Sequence, residues 1–253
     1  MTLSSPLRLP GATLLTRLKV YDTVGPDGQS GGTPHFHLAC SEMYYVLSGS
    51  GAVEILDAQG FAKIELTPHA AFVFSPGTLH RLVNSNPNPN GGLELLISMQ
   101  NSGLPERGDT IATFESELLS DDIAYHKAMR ADSLAEAYRR RDDAVDGFLA
   151  LKEKFAHSNS EGRAALKEMY KQGLARTASK HSQWYDCVVG GAFSEAQDSL
   201  QRVLDLTGKR IDRLFEAQHA LIPFAEKPTV GFCGKLNRYF DSTTLLPEGV
   251  VAG

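Results

Sequence analysis

The amino-acid sequence predicts a mainly β N-terminal barrel or sandwich followed by an α-helical region. Three observations predict it. Short β-branched and aromatic segments alternate with Gly-, Pro- and Asn-rich turns up to about residue 100. Within that part, His35, His37, Glu42 and His80 are placed where strands could carry a set of metal ligands. From about residue 115 the apolar spacing changes to three or four, the period of a helix.

The strands come first. Residues 14–22 alternate apolar and polar, and the glycine-dense GPDGQSGG at 25–32 reads as a loop. Further strands are expected at 33–40, 42–48, 51–56, 61–66, 71–75, 80–84 and 92–100. Gly49 and Gly51 mark one bend, DAQG at 57–60 a hairpin, and SPGT and SNPNPNGG two more turns. About eight short strands in this span argue for a sandwich or barrel.

The helical stripes follow. One runs from Leu134 through Tyr138, Val145, Phe148 and Leu149 to Phe155, a second from Leu166 to Val188, and a third from Phe193 to Phe215. HSNSEG at 157–162 separates the first two, and Gly190-Gly191 precedes the third. Three amphipathic helices with short connections suggest an antiparallel bundle or hairpin array. The expected organisation is a barrel over 1–112, helices over 113–222 and an irregular tail over 223–253, where proline and glycine are frequent.

Composition narrows the setting. The chain has 253 residues, 42% of them apolar, and a formal charge of −5 with acidic and basic residues mixed throughout. Nucleic acid and anionic membrane surfaces are therefore not expected as partners. The three cysteines, Cys40, Cys187 and Cys233, are far apart and form no CxxC pair, which fits a reducing, cytoplasmic setting. MTLSSPLRLPGATLL lacks the pattern of a secretory signal, and no segment approaches the roughly 18 apolar residues of a spanning helix.

On a strand, alternate side chains share a face, so His35 and His37 project together while Phe36 and Leu38 point away. Glu42 opens the next strand, and a Pro-Gly turn delivers His80 to the head of another. A lone His-x-His pair is weak evidence, since 8 of the 253 residues are histidine; the set of four carries the reading. By parity Thr33 shares the face of His35 and His37, Tyr44 and Val46 that of Glu42, and Leu82 and Asn84 that of His80. Cys40 falls on the opposite face and reads as an ordinary buried cysteine. Arg81 has outward parity and reads as solvated, as does the RRRDD run at 139–143. His69, His126, His157, His181 and His219 read as ordinary surface or core residues, and Trp184 as bundle packing.

His35-Phe36-His37, four residues, Glu42, six residues and Gly49 together match the first motif of the cupin superfamily, which the chain resembles over about residues 14–105. Its second motif, PxGxxHxxxN, is filled by Pro76, Gly77, His80 and Asn84, with Ser75 where the preceding proline is usual. Two turns depart from the family pattern. Gln29 stands where a glycine is normal, with Gly28 one position off, and His69-Ala70 replaces a Gly-Asp pair. The resemblance implies a double-stranded β-helix (jelly-roll) barrel holding a divalent metal through His35, His37, Glu42 and His80. Iron, manganese, zinc, nickel and copper all tolerate such ligands.

The first functional expectation is a small-molecule metalloenzyme of the dioxygenase type, with Glu42 as a ligand able to act as base and Tyr44 placed to orient a bound oxygen or proton. The second is a sugar or sugar-phosphate isomerase or epimerase, since 35–51 is similar to cupin segments of that class. The third is a non-catalytic ligand-binding or regulatory module. The helices are expected to cover the barrel mouth or build a homodimer interface.

Overall fold

Burial alternates along the first strands as the sequence pattern requires. Leu14, Thr16, Leu18 and Val20 turn inward on β1 (Leu14–Val20), and Glu42, Tyr44 and Val46 do so on β3 (Glu42–Ser48). The other strands are β2 (His35–His37), β4 (Gly51–Asp57), β5 (Gly60–Leu66), β6 (Ala71–Phe74), β7 (Leu79–Asn84), β8 (Glu94–Met99), β9 (Thr110–Ala112), β10 (Thr229–Val230) and β11 (Gly234–Tyr239). In this computed structural model, which describes residues 8–88, 91–222 and 224–239, they form two antiparallel sheets. One is ordered β10-β11-β1-β8-β3-β6 and the other β5-β4-β7-β2-β9. The fold is a cupin-like β-barrel followed by a helical region, and the expected strands at 14–100 all form.

Among the described residues six α-helices follow or adjoin the barrel: α1 (Ser116–Ser120), α2 (Asp122–Met129), α3 (Leu134–His157), α4 (Asn159–Thr177), α5 (His181–Val188) and α6 (Ser194–Thr207). Ser133 opens α3 as a capping box, its hydroxyl accepting from Glu136 N while Glu136 accepts from Asp132 N. Ser158 caps α4 in the same way through Glu161 N, within the stretch read as the break between helices.

Two apolar cores result. One fills the barrel with Leu18, Tyr44, Val46, Val53, Leu82 and Leu95. The other lies outside the five-stranded sheet, where Phe36, Leu56, Leu79 and Ile111 meet Phe148, Leu151, Leu166 and Met169 of α3 and α4. This second core explains why every residue of β2 and β7 is buried. α3 approaches closely enough that a Cβ on Gly147 would lie 2.0 Å from Thr113 O, and the Thr113 hydroxyl donates to Ala144 O at 2.8 Å.

Of the two arrangements expected for the helices, the hairpin rather than a three-helix bundle forms. α3 and α4 form a hairpin laid on the sheet. The second stripe breaks at a tight turn, Ala178–Lys180, before α5, and a wide π-type turn at Val189–Phe193 leads into α6. No residue of α6 is buried, so Leu200, Val203 and Leu204 keep their apolar faces exposed. Trp184 packs on the barrel instead, donating from Nε1 to Arg107 O at 3.2 Å.

The stretch 223–253, expected to be irregular, adds strands where it is described. β11 pairs with β1, Leu18 opposite Leu236, and a turn from Gly231 to Gly234 joins it to β10. Its glycines mark that hairpin rather than an unstructured tail. Residues 240–253 lie outside the described residues.

Three arginines read as solvated are buried. Arg81, fully enclosed on β7, donates to Asp27 (Nη2 to Oδ1, 3.1 Å) under the 25–32 loop, with Glu54 at 3.8 Å. Arg140 donates to Met129 O and Gly231 O and lies 4.0 Å over the Phe232 ring, while Arg141 donates to Thr23 O and Val24 O. Charge runs read as surface because isolated cations are costly to bury; here carbonyls and carboxylates from distant segments take the terminal guanidinium donors, while Nε of Arg81 and of Arg140 has no partner.

Gly147→Ala is expected to destabilise the chain by about 1–3 kcal/mol, read by urea unfolding, because backbone rather than a flexible side chain fills the space. Burial by itself would raise the Asp27 carboxyl, but hydrogen bonds from Arg81 and Gln29 outweigh it and hold it at about 2 against an ordinary 3.8. A depressed folded-state pKa contributes stability above the unfolded value that is lost as pH falls through the folded one. The stability gap between the wild type and Asp27→Asn should therefore be full above about pH 4 and close as pH falls toward about 2; a gap constant across that window would sink the assignment.

Candidate metal centre

The register of β2 against β7 sets His35 opposite His80, and parity puts His37 on the same inner face. Glu42 comes from the opposing sheet, where β3 lies between β6 and β8. The four side chains are buried, and one possible ligand atom from each lies within 4.8 Å of the others.

Each histidine is oriented from behind. His35 Nδ1 donates to Thr33 O at 2.8 Å, His80 Nδ1 to Thr78 O at 2.9 Å, and His37 Nδ1 to Asp109 Oδ1 at 2.9 Å. This leaves Nε2 of all three turned toward Glu42, with His37 Nε2 3.3 Å and His80 Nε2 3.4 Å from Glu42 Oε2. With their Nδ1 protons so committed, the His35 and His80 Nε2 atoms are lone-pair acceptors only 3.1 Å apart, an arrangement that repels unless a cation or proton lies between. His37 Nε2 and Glu42 Oε2 are buried without a hydrogen-bond partner. The donor set therefore fits a divalent cation of the transition series: three imidazole nitrogens and one carboxylate oxygen, with room for further ligands on an octahedral ion.

The electrostatics point the same way. Burial, then the neighbouring His80 and His37, push His35 well below its ordinary pKa. Burial would also lower His37, but Asp109 and Glu42 outweigh it and raise the imidazole to about 10. Burial would raise Glu42, yet its contacts with His37 and His80 hold it well below the carboxylate range. Two carboxyl groups flanking one imidazole favour positive charge at this point.

Tyr44 is buried beside Glu42, its hydroxyl without a hydrogen-bond partner and its pKa pushed well up by burial and by the Glu42 charge. It packs on Phe74 (ring centroids 5.2 Å) and does not line the cavity described next. Asn84 accepts from Leu93 N and so ties the barrel wall together, while Thr33 is buried with an unpartnered hydroxyl. Cys40 is an ordinary buried cysteine whose backbone N–H donates to Asp109 Oδ2.

Two elements of the site are absent from the sequence reading. Asp109, which holds both His37 and Cys40, precedes β9 in a segment with no strand signal beyond Thr110–Ala112. Phe232 stacks on His35 at 5.0 Å, carried there by the C-terminal hairpin that Arg140 and Tyr21 grip through Gly231 O. A cavity of about 640 Å³ opens from the centre, walled by β1, β8 and β11 and by residues of α2, the 105–108 turn and α5. The helices thus do shape the barrel mouth.

Residues 21–90 match the family model described as Cupin domain, and the N-terminal barrel is a cupin domain. No curated protein matches the chain. Among solved structures it is similar to KdgF from Halomonas sp., at 22% identity over 38% of this chain and 76% of that one, with a TM-score of 0.28. It is also similar to the capsular polysaccharide assembling protein CapF from Staphylococcus aureus (12% identity, 42% of this chain, 29% of that one, TM-score 0.33). A third is Peruvianin-I, a cysteine peptidase from Thevetia peruviana latex (15%, 35% and 50%, TM-score 0.29). The chain thus spans half the length of Peruvianin-I and 29% of CapF. Among the described residues no helix is long and apolar enough to cross a membrane.

Nitrogen-detected NMR of the metal-free protein should show His35 as a neutral imidazole protonated at Nδ1 at pH 6. A neutral ring protonated at Nε2 instead would contradict the orientation assigned from Thr33.

Proposed function

We propose that His35, His37, Glu42 and His80 hold a divalent metal ion and that the barrel is a metal-dependent oxygenase acting on a small apolar molecule. One observation carries the reading: three histidines, each tied back through Nδ1, turn their Nε2 atoms with a partnerless Glu42 oxygen to one buried point that opens onto a cavity. A redox-active ion of this ligand set supplies open positions for dioxygen beside the substrate.

The chain's own residues do the rest. The Thr33 and Thr78 carbonyls and Asp109 fix the imidazoles, as partners behind metal ligands do elsewhere. Glu42, kept ionised by its contacts with His37 and His80, offers its oxygen to the ion as a carboxylate rather than a carboxylic acid. Phe232, Leu236 and Met99 supply apolar wall to the cavity beside the centre. The wall is predominantly apolar near the centre, which favours this reading over a sugar isomerase, whose substrate needs hydrogen-bond partners along its length. Arg81 and Lys63, the cations nearest in sequence to the motifs, do not line the cavity.

His37→Ala and His80→Ala are each expected to abolish metal retention while the barrel stays folded, read by elemental analysis and circular dichroism. Asp109→Asn should retain metal but bind it about 10–100-fold more weakly in chelator competition. Oxygen uptake against catechols, flavonoids, thiols and keto acids tests the reaction class: uptake with iron or nickel supports it. Zinc as the resident ion, or no uptake with any metal, excludes the oxygenase and leaves an isomerase or a binding module.

A further inference from the structure

The cavity has an uneven charge balance at its rim. Four cations line it, Arg107, Arg130, Lys180 and Arg238, against the carboxylates of Glu42, Glu106 and Asp132. Glu42 belongs to the His/Glu centre. Arg130 and Asp132 neutralise each other at 2.6 Å. Arg238 lies near Glu106, a carboxyl that burial raises above its ordinary pKa and whose Oε2 has no partner. Arg107 donates to Gly103 O at 2.9 Å and forms no ion pair among the described residues. Lys180, half-buried, has no carboxylate partner among them, and loss of water around its ammonium lowers its pKa.

The position of Lys180 is built rather than incidental. Its Nζ rests on Gly108, where an added Cβ would stand 2.5 Å away, and Gly108 has the left-handed φ of 76° that suits glycine. Trp184 holds the same turn from α5 through Arg107 O. The ammonium is thereby kept at the edge of a cavity whose depth is apolar and whose volume suits a mid-sized organic molecule rather than a two-carbon acid. A half-desolvated cation without a counter-charge is completed by an anionic ligand.

We propose that this cavity takes an apolar organic acid, its carboxylate held at the rim by Lys180 and its hydrocarbon body lying along Leu14, Leu18, Ile97, Met99 and Leu236 toward the His/Glu centre. The proposal rests on the metalloenzyme reading only for which end of the ligand reacts. Arg107 stands as the second donor at the rim. Lys180 is a binding residue here, with no part in the chemistry.

The test is calorimetric titration of the full chain with phenylbutyrate and with the neutral phenylbutanol. It is run on metal-free protein, so that a carboxylate cannot score by binding the ion, and repeated with metal. Wild type is expected to bind the acid about tenfold more tightly than the alcohol. Lys180→Met should remove that preference by weakening the acid alone, and Lys180→Arg should restore most of it; thermal melts confirm folding. Equal affinity for the two probes, binding of neither, or an acid preference that survives Lys180→Met overturns the proposal. Elemental analysis of the protein as purified and after metal is added back separates the two readings. Protein that holds no metal in either state yet keeps a Lys180-dependent preference counts against the metalloenzyme alone, and protein that retains metal but lacks the preference counts against the organic acid alone.

Discussion

The pairing of β2 with β7, which sets His35 opposite His80 across from Glu42, is the constraint on which the rest of the structure depends. Strand β2 is only three residues long, and all three are buried. A strand that short holds its register only if both faces are packed and both edges paired. β7 and β9 supply the edges, the barrel interior takes the histidines, and α3 and α4 cover Phe36 on the other side. The helical hairpin therefore does more than decorate the barrel: without it the outer face of the ligand-bearing strand would be an exposed apolar surface.

Buried arginines hold the remaining pieces in place. Arg140 and Arg141 sit on adjacent positions of α3 and reach opposite ways, Arg140 to the C-terminal hairpin and Arg141 to the loop after β1. Through Gly231 O, Arg140 fixes Phe232 against His35, so a helix residue controls the ring that closes the centre. Arg81, on the outer face beside His80, does for the 25–32 loop what Arg140 does for the hairpin. Such contacts contribute specificity more than net stability, because removing a cation from water costs several kcal/mol that the partners only offset.

Much of this was legible in the sequence. Strand positions from 14 to 100 followed from alternation and turn residues, and the four converging side chains from parity and spacing. The break between α3 and α4 followed from HSNSEG at 157–162. Other features had no local signal. Asp109 reaches His37 across 72 positions of chain, and nothing near it in sequence sets it apart from a surface aspartate. The hairpin around Gly231 and Gly234 reads as loop because its glycines are conspicuous, whereas β11 is stabilised only by lying against β1. The helical period was legible, but it left a bundle and a hairpin open, because a stripe specifies that a face is apolar and says nothing of what will cover it; α3 and α4 form the hairpin, and on α6 the apolar residues remain exposed.

By itself, then, the amino-acid sequence determined a β-barrel carrying three histidines and a glutamate on inward positions, and a helical region after it, since both conclusions depend on periodicities of two and of three to four that are local properties of the backbone. The tertiary structure alone decided that Asp109 and two carbonyls orient the imidazoles, that a C-terminal strand and Phe232 close the centre, and that Arg140 and Arg141 within the charge-rich run on α3 are buried while its other members stay at the surface. Those outcomes depend on which distant segments come to share a surface, and a buried cation or carboxylate is recognisable only once the groups that satisfy it are in contact.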